Sequence, residues 1–262
     1  MRKIRHILLT RNARLQLYYA LVSMRGWFAI GDECQCNICG KHASRFAPFG
    51  HRNQAMCPRC FSLERHRLLY AYLNQETDLF SRPARVLHFA PERCLGRRLA
   101  HFHGDGYVSA DLMVHFIPGL EMRPRVVMSV TDIHFPDDYF DYVICNHVLE
   151  HVPDDRSAMR EIRRVLKPGG IAVLMVPLDM SNPEIAEAPN LSPDERRRLF
   201  GSPDHVRMYG VEGYRKRLRE AGLAAEIFPY SRGIREENRV IIGEQIVVAL
   251  HTSLPPQVPQ RV

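Results

Sequence analysis

No apolar run in the chain reaches the roughly 18 residues that a helix needs to cross a bilayer, which excludes a transmembrane span of that kind. No acidic residue precedes Asp32, although residues 1–30 carry six Arg or Lys. The apolar stretch Leu17–Met24 is short and lacks a small-residue cleavage site, which argues against a secretory signal. An Arg-rich, acid-free start is also the composition of an organellar transit peptide, so that reading stays open. Of seven cysteines, four stand in two CxxC pairs, which points to a metal site in a reducing, cytoplasmic setting and not to a disulfide framework.

What is present suits a globular protein. The 262 residues, 45% hydrophobic and 25% charged, can bury a full core and fit one domain of ordinary size plus an appendage. A net charge of +7 and a pI near 9.2 favour anionic partners such as nucleic acid, phosphorylated substrates or a membrane surface. They equally describe a cytoplasmic protein that is merely basic. Ile4, Ile7, Leu8, Leu15, Tyr18, Tyr19 and Val22 form a partial helical stripe within the basic segment 1–30. Such a helix can make peripheral contact with a membrane or dock on its own domain.

Cys36-Asn37-Ile38-Cys39-Gly40 and Cys57-Pro58-Arg59-Cys60 define a module over residues 31–62. Each CxxC turns two thiolates toward one metal, and two such knuckles complete a tetrahedral four-sulfur shell, the pattern of structural zinc. Iron in a rubredoxin-like site is the other metal reading. Cys34-x-Cys36 is not knuckle spacing. Ser62 is then expected to cap a helix running to about Glu76, with Leu63, His66, Leu69 (or Tyr70) and Leu73 inward; Arg65, His66 and Arg67 read either as a binding patch or as a solvated helix face.

Residues 126–177 organise the rest. Val126–Val130 and Phe140–Cys145 are apolar strands, and Met159, Ile162, Val165 and Leu166 recur at helical spacing. Lys167-Pro168-Gly169-Gly170 is expected to stop that helix before a strand at Ile171–Val176. Strand, helix and strand with short joints make a βαβ unit. Continuous apolar strands predict an α/β fold, a doubly wound, mostly parallel sheet.

FDYVICNHVLEHVPD, followed by a helix and RVLKPGG, resembles the class I S-adenosylmethionine (SAM) dependent methyltransferases, in particular the ubiquinone-biosynthesis-like group. CPRCFSLERHRLL ahead of it is similar to a bacterial subgroup of zinc-knuckle methyltransferases. The resemblance implies a Rossmann-like methyltransferase domain over 63–252, with a tail over 253–262, and SAM as cofactor. The first strand, Arg85–Phe89, runs into His88-Phe89-Ala90-Pro91-Glu92-Arg93-Cys94, without the family's glycine-rich turn and with no glycine before Gly96. Glycine serves there where a Cβ would collide, and Ala, Pro and Glu are not expected to take the same positive-φ conformations, so this loop is expected to hold the cofactor by another path, with Glu92 or His88 supplying polar contacts.

Asp111, ending a second strand at Tyr107–Ala110, suits the two ribose hydroxyls. By resemblance, Asp132 accepts from the adenine amino group and Ile133 packs on the ring. Asn146 and His147 fall beside the methionine half and the transferred methyl. Past a polar segment, Pro183–Pro203, the cluster Asp204-His205-Val206-Arg207-Met208-Tyr209-Gly210 precedes a helix at Val211–Ala221, and strands near 224–229 and 244–250 close the sheet. His205 is the first expectation for a general base and His147 the second, with Arg207 available to an anionic group. The acceptor is expected to be a small molecule, sugar or anionic metabolite, methylated on O or N. There is no Asn-Pro-Pro-Tyr motif of the kind that marks adenine or glutamine-amide targets. Nucleic-acid methylation and a non-catalytic fold relative are the other readings.

Overall fold

The computed structural model describes residues 30–50, 52–112, 125–230 and 245–251, with positions 17, 20–22, 24 and 238. The remainder of the basic segment 1–30 and the tail expected over 253–262 lie outside the described residues. No helix among those described is long and apolar enough to cross a membrane.

A seven-stranded sheet carries the molecule. It is built from β5 (Val86–Phe89), β6 (Tyr107–Asp111), β7 (Val126–Val127), β8 (Phe140–Cys145), β9 (Leu166–Val173), β13 (Leu223–Pro229) and β14 (Gln245–His251). Their order across the sheet is β13-β14-β9-β8-β5-β6-β7. The pairs from β9 to β7 are parallel, whereas β14 runs antiparallel to both β9 and β13. Every residue of β5 is buried, as a strand covered on both faces requires. Helices α1 (Glu64–Gln75), α2 (Arg93–His103), α3 (Asp155–Val165), α4 (Pro193–Phe200) and α5 (Val211–Glu220) complete the α/β, Rossmann-like fold. The chain runs outward from β5 through β6 to β7, then returns to β8 beside β5. That reversal makes the β5/β8 junction the crevice where open α/β sheets bind ligands.

The Lys167–Gly170 segment differs from its expected form. Strand β9 already begins at Leu166, opposite Phe140, and Ile171 pairs with Tyr142, so Lys167–Gly170 bulges out against Asp141 alone. Gly169, at φ 75°, makes the excursion possible. Lys167 Nζ closes it on Asp141 Oδ1 at 2.8 Å, while Asp141 Oδ2 accepts the Arg85 backbone N–H.

The N-terminal module pairs β1 (Cys34–Gln35) with β2 (His42–Ala43) and β3 (Ala47–Phe49) with β4 (Arg52–Met56). It shares a core with the main sheet: Cys36, Ile38 and Phe46 belong to the cluster that contains Leu69, Leu73, Val86 and Leu95. Helix α1 starts one residue later than expected, capped at Leu63, whose N–H donates to His66 Nδ1 at 3.2 Å. Arg67 is neither a binding patch nor a solvated residue. It is fully buried, donates to the carbonyls of Ser62, Ala55 and Asn238, and lies 4.7 Å over the Phe46 ring.

The polar segment after β9 is more structured than its composition implied. β10 (Leu178–Asp179), β12 (Arg207–Gly210) and β11 (Ala186–Glu187) form a second sheet with β12 in the centre. Helix α4 opens on a capping box between Ser192 and Glu195. Gly210 is required where it stands, because a Cβ there would meet the carbonyl oxygen of Asn182 at 2.2 Å.

Candidate functional site

Two clusters of chemistry-bearing side chains stand out. The first is the cysteine cage. The sulfurs of Cys36, Cys39, Cys57 and Cys60 all lie within 4.8 Å of one another, with Cys36–Cys60 at 3.6 Å and Cys39–Cys57 at 3.8 Å. These separations are far too long for a disulfide. They match the edge of a tetrahedron with metal–sulfur bonds of about 2.3 Å, which is about 3.8 Å. Hydrogen bonds from Cys39, Cys57 and Cys60 hold the Cys36 thiol far below its ordinary range. Ser62 is not a helix cap: its buried hydroxyl sits 3.2 Å from the Cys36 sulfur and 3.3 Å from that of Cys60. Four protein sulfurs leave no open position, which is the arrangement of a structural ion.

The second cluster lies at the carboxyl ends of the parallel strands. After β5 the chain turns at Ala90, which takes φ 44° and donates its N–H to Ala110 O at 2.9 Å. The loop thus reaches the left-handed conformation without a glycine, contrary to the expectation that Ala could not take such a turn; Ala90 itself is exposed there. His88 and Phe89 do not open onto the crevice with their side chains. His88 is fully buried, with Nε2 donating to Glu92 Oε2 at 2.8 Å and Nδ1 3.1 Å from the Tyr107 hydroxyl; Phe89 is core. A buried side chain with both ring nitrogens engaged has nothing left to offer a ligand, so the His88 contact expected from sequence is corrected. Burial pushes the Glu92 carboxyl up, but the hydrogen bond from His88 together with the His88 and His66 charges outweighs it and leaves Glu92 well below the usual range.

Asp111 ends β6 opposite Val127, and the exposed Asp132 follows β7 with His134 Nε2 against its carboxylate, at 3.1 Å. Ile133 is 2% exposed and packs in the core, so its side chain has no face free to cover an adenine ring. Asn146 and His147 follow β8. Asn146 Oδ1 accepts the Met175 N–H, while its buried Nδ2 has no partner. His147, at φ 54°, donates its backbone N–H to Met175 O and has a buried Nε2 without a partner. Orphaned polar atoms at the end of a buried strand are costly unless something completes them. The resemblance puts the methionine half of SAM at this edge, and the residues present fit that group.

A 3-10 turn, Leu149–His151, continues from there. Val206 N–H binds Glu150 O at 2.9 Å and brings the 204–207 segment alongside. The His205 ring then meets His151 edge to face, 4.7 Å between centroids. His205 Nδ1 donates to Phe200 O at 2.7 Å, since a carbonyl can only accept, and this leaves Nε2 with its lone pair. Arg207 is not available to an anionic substrate. It is 4% exposed, gives its protons to the carbonyls of Leu149, Val152 and Pro153, and pairs with Glu187 at 3.0 Å. Sequence reasoning assigned no role to Glu150 or His151. The His147-x-x-Glu150-His151 spacing was visible, but its meeting with His205 depends on a contact across 54 residues of chain, 151 to 205.

The family described as methyltransferase domain matches residues 104–174. A demethylmenaquinone methyltransferase of Mycolicibacterium paratuberculosis is 31% identical over 161 residues, covering 58% of this chain and 68% of that protein. A 2-phytyl-1,4-naphtoquinone methyltransferase of Synechococcus elongatus is 44% identical over 52 residues, a match spanning 20% of this chain and only 21% of the relative's length. Among solved structures, a SAM-dependent methyltransferase from Archaeoglobus fulgidus aligns with a TM-score of 0.47 at 18% identity, over 70% of this chain and 93% of that one. Identity above 30% across two thirds of the Mycolicibacterium protein, together with the strand order seen here, makes this chain a member of the class I SAM-dependent methyltransferases.

Proposed function

We propose that the chain transfers a methyl group from SAM to an oxygen or nitrogen of a small hydroxylated acceptor, with a zinc ion in the cysteine cage acting structurally. The observation that carries the reading is the convergence of Asn146, His147, Glu150, His151 and His205 on the carboxyl edge of the sheet, beside the β5/β8 crevice. SAM, when bound, supplies a sulfonium-activated methyl. Asp111 would hold the ribose hydroxyls, Asp132 the adenine amino group, and the Ala90 turn and Asn146 the methionine half. Of the two histidines expected to act as base, His147 is the better placed, with Nε2 buried and unpartnered next to Asn146. His205 is fixed on Phe200 and His151 and helps to shape the acceptor side. Two relatives are named for quinone methylation, and a hydroxylated ring would suit this site as well as a sugar. In this reading the zinc-knuckle module spans 31–62 and the methyltransferase domain 63–252.

Calorimetry with SAM and S-adenosylhomocysteine tests the first half. Micromolar binding is expected, at least tenfold weaker in Asp111→Ala, because charge-assisted hydrogen bonds are worth about 1.5–3 kcal/mol. No binding by the unaltered chain would sink the enzyme reading in favour of a non-catalytic fold relative. His147→Ala should lower turnover by about 10²–10⁴-fold and leave SAM affinity nearly unchanged.

One further observation favours a nucleic-acid acceptor as the second reading. A cavity of about 330 Å³ beside Cys39 and Cys60 is lined by Arg59, Arg93, Arg97, Arg98 and His101. Steep salt dependence of RNA binding would support that reading, and salt-insensitive turnover of a small acceptor would exclude it.

A further inference from the structure

Glu150 is 1% exposed, and neither carboxylate oxygen has a hydrogen-bond partner. Among the described residues no Lys or Arg forms an ion pair with it; His147 Nδ1 lies 3.4 Å from Oε1. A carboxylate buried in this way costs several kcal/mol unless a cation completes it. His151 and His205 supply the remaining elements of such a site: one ligand atom from each of Glu150, His151 and His205 falls within 4.8 Å of the others.

We propose that Glu150, His151 and His205 hold a divalent metal ion on the acceptor side of the cofactor crevice. Ligands at about 2.1 Å from a metal stand at most about 4.2 Å apart, so a small inward rotation of the side chains closes the site. Two imidazoles and one carboxylate form a borderline donor set that takes Mn²⁺, Fe²⁺, Co²⁺ or Zn²⁺ and leaves coordination positions open. The surroundings are those of a metal site. Phe200 O fixes the His205 tautomer through Nδ1, and Asp204 Oδ2 lies 3.5 Å from His151 Nδ1, the kind of outer contact that orients ligating histidines. The cysteine cage differs in kind, since its four sulfurs close the coordination shell.

The role of this ion rests on the methyltransferase reading above, although its binding does not. An acceptor hydroxyl occupying an open position would be oriented and acidified. Its proton passes to His147, the new carbon–oxygen bond forms on the acceptor, and the carbon–sulfur bond breaks with its electron pair returning to sulfur. The substrate class that follows is a small molecule with a hydroxyl free to coordinate a metal.

The full chain, purified with its cage ion in place, is titrated with Mn²⁺ and followed by electron paramagnetic resonance. One saturable Mn²⁺ per chain is expected. His151→Ala and His205→Ala should each weaken binding at least tenfold, and Glu150→Gln should abolish it. Unchanged zinc content and melting temperature identify the variants that are folded. If Glu150→Gln does not fold, the partly exposed His151 and His205 decide the matter. Absence of saturable Mn²⁺ binding, or equal affinity in folded His151→Ala and His205→Ala, overturns the proposal. Mn²⁺ bound as expected by a chain that binds no SAM would keep the site and overturn only the enzyme reading.

Discussion

Arg217 Nη1 lies 2.9 and 2.8 Å from the two carboxylate oxygens of Asp155. Both side chains are buried, and the Tyr209 hydroxyl donates to the same carboxylate at 2.5 Å. The pair ties α3 to α5, and Tyr209 adds β12, so one carboxylate anchors the second sheet, and with it His205, against the main one. Asp155→Ala would remove the main partner of Arg217 and leave the Tyr209 hydroxyl with only its longer contact to Leu149 O, at 3.3 Å, among the described residues. A loss of about 3–5 kcal/mol is expected, the usual cost of breaking a buried pair from one side. Denaturant unfolding reads it directly, and a loss below 1 kcal/mol would show that Glu187, 3.1 Å from Arg217 Nη2, suffices alone.

The cysteine cage should carry about one zinc per chain. Replacing Cys39 with Ser removes one of four sulfurs and should lower both the metal content and the melting temperature, because the binding free energy of a structural ion is folding free energy. The effect should reach the main domain, since Cys36 and Ile38 share its core. Metal analysis by mass spectrometry together with a thermal melt checks this. Full stability in a metal-free chain would refute it.

His66 sets a pH dependence. Burial pushes its pKa from 6.5 down to about 3, against the raising effect of the Glu92 charge and with a smaller push from Arg65. The unfolded chain therefore binds a proton below pH 6.5 that the folded chain refuses. Stability is complete above that pH and is lost as pH falls from about 6.5 to about 3, at up to about 1.4 kcal/mol per unit. His66→Phe should flatten this slope between pH 6.5 and the onset of general acid unfolding. An unaltered slope would assign the acid sensitivity to other groups.

Ala90 holds φ 44°, a conformation that favours glycine. A non-glycine residue in the left-handed region costs about 1–2 kcal/mol. Ala90→Gly should relieve that strain, offset by about 0.4–1 kcal/mol of unfolded-chain entropy. The expected outcome is a stability unchanged or raised by up to about 1.6 kcal/mol, measured by denaturant unfolding. A loss of more than 1 kcal/mol would mean that the Ala90 methyl is itself packed.

Much of this was legible in the residues. The strand Phe140–Cys145 and the helix from Asp155 to Val165 appear in the structure where their periodicity put them. The closing antiparallel pair, Leu223–Pro229 with Gln245–His251, also lies where it was expected. The two CxxC pairs converge on one point as their spacing requires. Asp111 is the last residue of β6, and Asp132 follows β7. All of these rest on local rules: a hydrophobic period, a turn residue, a two-residue gap between thiols.

Where the reading missed, the deciding contact was distant in sequence. Ser62 looked like a helix cap because serine usually is one, yet the cage sulfurs of Cys36 and Cys60 claim its hydroxyl. The helix does end at Val165, just ahead of Lys167–Gly170, but pairing with β8 places that segment inside a strand expected to begin only at Ile171. Arg67, Arg207 and His88 carry polar side chains that composition assigns to surfaces or ligands. Each is buried because carbonyls, or a tyrosine and a glutamate, from separate segments satisfy it. The amino-acid sequence alone determined the sheet, the cysteine cage and the crevice edge, because those follow from periodicity and spacing along the chain. Only the tertiary structure decided which histidines face one another and which charges are spent internally, because burial and pairing across tens of residues fix both.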